Sequence, residues 1–99
     1  MIVKVKMLAF MDGEIRNVEI PDDTPDGEFL GAVFKLGQNM FQPVPNRCSV
    51  SVNDVILDER GPETKYVRVA GCGFQEMSKD EFDKFEALDK ESRARLTFK

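Results

Sequence analysis

The chain has 99 residues, a net charge of −4 and a composition that is 41% hydrophobic and 32% charged, which fits one globular domain and excludes collagenous, low-complexity and wholly disordered chains. Histidine is absent, which removes the commonest general base, and two cysteines 24 residues apart supply neither a disulfide scaffold nor a structural zinc site. No apolar run approaches the ~18–20 residues that cross a bilayer, and Met1-Ile2-Val3-Lys4-Val5-Lys6 lacks the pattern of a signal peptide, so reduced thiols and a cytoplasmic location are the expectation.

Residues 2–10 alternate in the manner of a strand, with Val3, Val5, Met7 and Ala9 on one face and Lys4 and Lys6 on the other. Residues 14–20 alternate again and place Arg16 in phase with Val18 and Ile20. Asp12-Gly13 between them predicts a hairpin closed by a tight two-residue turn, because both positions of such a turn favour positive φ. Pro21 to Pro25 breaks the strand, and Thr24 is placed to cap a helix that begins at Pro25. Phe29, Val33, Leu36 and Met40 then mark the buried stripe of that helix, with Leu30 and Phe34 broadening it and Gly37 as a possible end.

After the loop Gln42-Pro43-Val44-Pro45-Asn46, residues 48–52 alternate as a strand that runs through Asn53-Asp54 into Val55-Ile56-Leu57. Arg60 to Glu63 predicts a turn and Lys65 to Ala70 a further strand, which Gly71-Cys72-Gly73 interrupts as a bulge before Gln75 to Met77. Ser78-Lys79-Asp80-Glu81 is a capping box, Met77 and Phe82 form its hydrophobic staple, and Phe82, Phe85 and Leu88 give the last helix its apolar edge. Residues 90–95 read as solvated helix or frayed tail, with Leu96 and Phe98 available to dock.

The expected class is a single α+β domain in the order ββαββα, with residues 1–77 as sheet and packed helix and residues 78–99 as C-terminal helix and tail. A hairpin, a helix across it and further strands resembles the opening of a β-grasp fold; the alternative is a small barrel of residues 47–77 with the hairpin packed outside.

Chemistry-bearing residues are sparse. Cys72 between two glycines is the one nucleophile candidate, and it reads more simply as a small buried residue at a bulge; Cys48 reads as core. Asp22, Asp23 and Asp26 lack the spacing of a calcium loop, no phosphate-binding or dinucleotide glycine motif is present, and no pair among the eighteen acids stands out as catalytic. Catalytic, cofactor and metal residues are therefore expected to be none. Lys4, Lys6 and Phe10 form a small platform for nucleic acid, yet the lysines read more simply as guards on an edge strand, and Arg93, Arg95 and Lys99 are diluted by Asp89 and Glu91. From Met11 to Leu30 seven acids face one base, Arg16, which reads as a solubilising face. Phe41 to Pro45 is apolar for a connector, with Phe41 and Val44 expected to close over the core.

The segments Ser49-Val50-Ser51-Val52-Asn53-Asp54-Val55-Ile56, Lys65-Tyr66-Val67-Arg68-Val69 and Gly73-Phe74-Gln75-Glu76 resemble small uncharacterised YodL-like proteins of plasmids, phages and integrative elements. The resemblance implies an accessory protein of a mobile element and carries no catalytic residue with it. The expected function is a non-enzymatic protein-binding or adaptor module, acting by strand addition at a sheet edge. The alternatives are a nucleic-acid-associated accessory factor, which the negative charge disfavours, and a small enzyme or ligand-binding protein using Cys72. A protein partner is expected, self-association is possible, and no membrane contact is foreseen.

Overall fold

The alternation of Val3, Val5 and Met7 with Ile2, Lys4 and Lys6 becomes strand β1 (Ile2–Met7) in the computed structural model, which describes residues 1–96. The chain continues as β2 (Glu14–Glu19), a 3-10 turn (Asp26–Glu28), α1 (Phe29–Leu36), β3 (Val55–Asp58), β4 (Lys65–Ala70), β5 (Gly73–Met77), α2 (Lys79–Ala87) and α3 (Lys90–Leu96). One open five-stranded sheet runs in the order β2-β1-β3-β4-β5, and every neighbouring pair is antiparallel. The α+β class holds. The likeness to a β-grasp stops at element order, since β1 lies antiparallel to β3 at the centre, and the open sheet removes the barrel alternative.

Because side chains alternate across a sheet, the strands serve two cores. On one face Val3, Val5, Met7, Val18, Ile56, Val67 and Val69 pack against Phe29 and Val33 of α1 and Val50 of the following loop. On the other, Val55, Leu57 and Tyr66 meet Leu8, Met77 and the α2 residues Phe82 and Phe85, with the Tyr66 and Phe82 rings stacked 4.4 Å apart. Each fully buried side chain of this size contributes roughly 1.5–3 kcal/mol. The capping box forms as expected: Glu81 N–H donates to Ser78 Oγ at 3.1 Å and Ser78 N–H to Glu81 Oε1 at 2.9 Å.

Several local expectations are corrected. The hairpin β1–β2 forms, but β1 stops at Met7 and a six-residue loop replaces the tight turn; only Gly13, at φ +96°, uses the left-handed region. Thr24 turns its hydroxyl back to the Pro21 carbonyl at 2.7 Å rather than capping α1, and α1 ends at Leu36, so Met40 is 85% exposed instead of buried. Gly37 is required there: a Cβ would stand 2.8 Å from the Val33 carbonyl oxygen and collide with Val50. Residues 48–52 form no strand. Val50 N–H instead donates to the Gly37 carbonyl at 3.1 Å, which lays this segment over the sheet as irregular cover. Gly71-Cys72 is a two-residue turn, not a bulge, so β5 is a separate strand and the order is ββαβββαα.

Candidate functional site

Three buried polar side chains hold the irregular segments to the sheet. Arg16 of β2 is 1% exposed and reaches across to the 38–50 loop, where its guanidinium donates to Asn39 Oδ1 and the Cys48 carbonyl, both at 2.7 Å, and to the Gln42 carbonyl. Asp54, equally buried, accepts N–H bonds from Leu8 and Ala9 at 2.9 Å and from Ser51 at 2.8 Å. The pull on Leu8 and Ala9 accompanies the early end of β1, and Leu8, two residues on from Lys6, keeps that residue's parity and faces α2. Arg93 of α3 donates through Nε to the Leu8 carbonyl at 2.9 Å, and Asn53 Nδ2 donates to the Arg93 carbonyl at 3.0 Å. All three serve as braces. Their bonds go to backbone or amide groups of this chain and satisfy buried polar atoms that would otherwise be costly, with Arg16 Nε the one buried side-chain atom among the described residues left without a partner.

The structure disperses the sequence candidates. Cys72 and Cys48 are both exposed, against the expectation of burial: the two-residue turn sets Cys72 at a hairpin tip, and the loss of a strand at 48–52 leaves Cys48 outside. Neither thiol makes a hydrogen bond among the described residues. Asp22 pairs with the amino terminus, and Asp26 with Arg60 at 3.1 Å, and no group of His, Cys, Asp and Glu suited to a metal ion occurs among the described residues. Lys4 and Lys6 do not guard an edge, because β1 lies inside the sheet; they lean toward Glu59 at 3.9 Å and Glu86 at 2.7 Å. Phe10 stands exposed in the loop that follows. Arg93 is buried and Arg95 pairs with Glu91 at 2.7 Å, so these bases build no common patch. The expected docking of Phe98, and Lys99, lie outside the described residues. Phe41 is half exposed under Lys35 Nζ, 5.7 Å from the ring centroid, while Val44 is half-buried, so Phe41 does not close the core as expected.

What the fold does present is an open sheet edge at β5. Val69 exchanges backbone hydrogen bonds with Asn53 and Asp54, at 2.8 and 2.9 Å, on the side of β4 away from β5. Its partner in the β4–β5 ladder, Phe74, therefore forms a non-hydrogen-bonded pair with it and points its own N–H and C=O outward. Two residues on, Glu76 does the same. None of these four groups meets another described residue. Phe74 and Glu76 also share one sheet face, Phe74 40% exposed, while Gln75 turns to the other face and accepts from Arg68 Nε at 3.1 Å. The opposite edge, β2, is partly closed. Gln42 brackets Glu19 there, accepting its N–H at 2.9 Å and donating to its carbonyl at 2.6 Å, on the loop that Arg16 anchors.

Comparison with known proteins finds no matching family model, no matching curated protein and no matching solved structure. None of the helices in the described residues is long and apolar enough to cross a membrane.

Proposed function

We propose that this chain is a non-enzymatic protein-binding module that accepts an extended segment of a partner protein as a sixth strand along β5. The observation that carries the reading is the row of outward N–H and C=O groups at Phe74 and Glu76, beside an exposed aromatic ring, at an edge that nothing among the described residues covers. Side-chain complementarity states the partner's chemistry: an apolar residue against Phe74 and a lysine or arginine against Glu76. A second copy of this chain is a poorer occupant, because antiparallel pairing about Gln75 sets Glu76 against Phe74 at both ends and brings together two chains of net charge −4. The resemblance to mobile-element proteins adds an accessory role in the cytoplasm to this reading.

Glu76→Pro tests it, since proline removes an outward N–H and leaves the β4–β5 ladder bonded. The variant keeps the native melting temperature within a few degrees, as about 1 kcal/mol moves a domain of this size by roughly 4–8 °C. In affinity capture from a lysate of the source cells, proteins retained by the native chain after nuclease treatment are lost from the variant. Partners that vanish with nuclease support nucleic-acid association instead. Retention that the proline leaves untouched rejects the edge.

A further inference from the structure

Helix α2 packs Phe82 and Phe85 onto the sheet over β4 and β5, and its two flanks face different ways. Glu86 pairs with Lys6 of β1 at 2.7 Å, which turns one flank toward the middle of the sheet. At about 3.6 residues per turn, Glu81, Lys84 and Leu88 fall on the other flank, toward the outer strand β5. There a cavity of about 390 Å³ lies between α2 and the sheet, with Arg68 of β4, Gln75 and Met77 of β5, Phe85 and Leu88 of α2 and Leu96 of α3 among its walls. The walls are mainly apolar, and Leu88 and Leu96 are both exposed to solvent. Two cations, Arg68 and Lys84, border it against one carboxylate, Glu81, which the Ser78 N–H of the capping box already occupies at 2.9 Å.

Residues opposite each other in a strand pair share a face of the sheet. A segment that bonds to Phe74 and Glu76 therefore sets one residue opposite Gln75, with its side chain on the α2 face where the cavity lies. We infer that this cavity receives an aromatic side chain of the partner strand. The inference rests on the strand-addition reading and names the residue that makes the edge selective. Met77, Phe85 and Leu88 offer an apolar seat for a ring, Arg68 and Lys84 attract its π face, and the same two cations turn away a lysine or arginine. Antiparallel pairing, the rule for every pair in this sheet, then orders the segment from its N-terminus: lysine or arginine against Glu76, the aromatic residue against Gln75, an apolar residue against Phe74.

Two synthetic peptides test it on the full chain: Thr-Thr-Lys-Phe-Val-Thr-Thr and the same sequence with alanine in place of phenylalanine, each carrying a fluorophore and followed by anisotropy. The phenylalanine peptide is expected to bind at least about 10-fold tighter, the order that burial of one aromatic side chain provides. Leu88→Gln, at an exposed position of the cavity wall, lowers that ratio at least about threefold and leaves the affinity of the alanine peptide as it was. A ratio near one, with both peptides bound by the native chain and lost from Glu76→Pro, overturns the aromatic pocket and leaves the edge standing. A ratio that Leu88→Gln does not change overturns it as well. Discrimination seen only in Phe98→Ala assigns the cavity to this chain's own Phe98, again against the inference. Binding of neither peptide also rejects the pocket, and the loss of captured proteins in Glu76→Pro then decides the edge separately.

Discussion

Arg16→Ala is expected to cost about 3–5 kcal/mol of folding stability, from three acceptors left unpaired at about 1–3 kcal/mol each before relaxation and from the void that a large buried side chain leaves. The substitution leaves Asn39 Oδ1 and the carbonyls of Gln42 and Cys48 without their donor and opens a void between β2 and the 38–50 loop. Gln42 loses its anchor as well, so Glu19 at the β2 edge is freed with it. Urea unfolding measures the loss, and hydrogen exchange locates it: the Val50 and Asn39 amides lose protection while those of β3 and β4 change only with global stability. A loss below about 1 kcal/mol, the value of an ordinary single hydrogen bond, contradicts the bracing role.

Asp54→Ala is expected to cost about 2–4 kcal/mol, because Leu8 loses the acceptor of a buried N–H, at about 1–3 kcal/mol before relaxation, and Ala9 and Ser51 lose those of partly buried ones. Asp54→Asn separates shape from charge. Burial lifts the Asp54 carboxyl above its ordinary range, against the N–H bonds from Ala9, Ser51 and Leu8 and the charge of Arg16. The folded chain therefore holds this proton more tightly than the unfolded one, and the stability this provides is full below the ordinary carboxylate range and lost as pH rises through the raised folded value. Asp58 has the opposite sign. Hydrogen bonds from the Arg60 side chain lower its carboxyl, so its contribution is present above the ordinary range and lost as pH falls through the lowered value. Urea midpoints followed from acid to neutral pH separate the two: Asp54→Asn abolishes the decline on the neutral side and keeps the acid limb. An unchanged decline in the variant contradicts the assignment to Asp54.

Sequence grammar reaches as far as local chemistry does. The Ser78–Glu81 capping box and the Met77–Phe82 staple depend on spacing alone and are present, whereas the expected helix stripe holds at Phe29, Leu30, Val33 and Leu36 and fails at Phe34 and Met40, which are exposed. Residues 48–52 carry the same alternation as a strand yet form none, because a strand needs a neighbour. Asp54, which caps Ser51 and reaches 46 residues back to Leu8, gives this stretch other partners. That long reach has no sequence signal, and it accompanies the replacement of the expected Asp12-Gly13 turn by a wide loop. Arg16 was visible only as a parity with Val18 and Ile20 and was expected on a solubilising face; a cation in the apolar phase of a strand is the signal that would have marked it as a buried anchor. Arg93 was not visible, for its neighbours Glu91 and Arg95 are surface residues of the same short helix. The candidate edge was half legible. Two glycines around Cys72 suit a bulge or a two-residue turn, and only the turn frees β5 to be the outer strand.

The central claim, that β5 receives a partner strand, is tested most directly by amide exchange along β5 in the free chain and in complex with a captured protein. The account predicts an alternating result: Phe74 and Glu76, whose N–H groups face outward, gain protection on binding, while Gln75, already bonded to β4, changes little. Protection that falls elsewhere on the surface, with Phe74 and Glu76 exchanging as in the free chain, would contradict it.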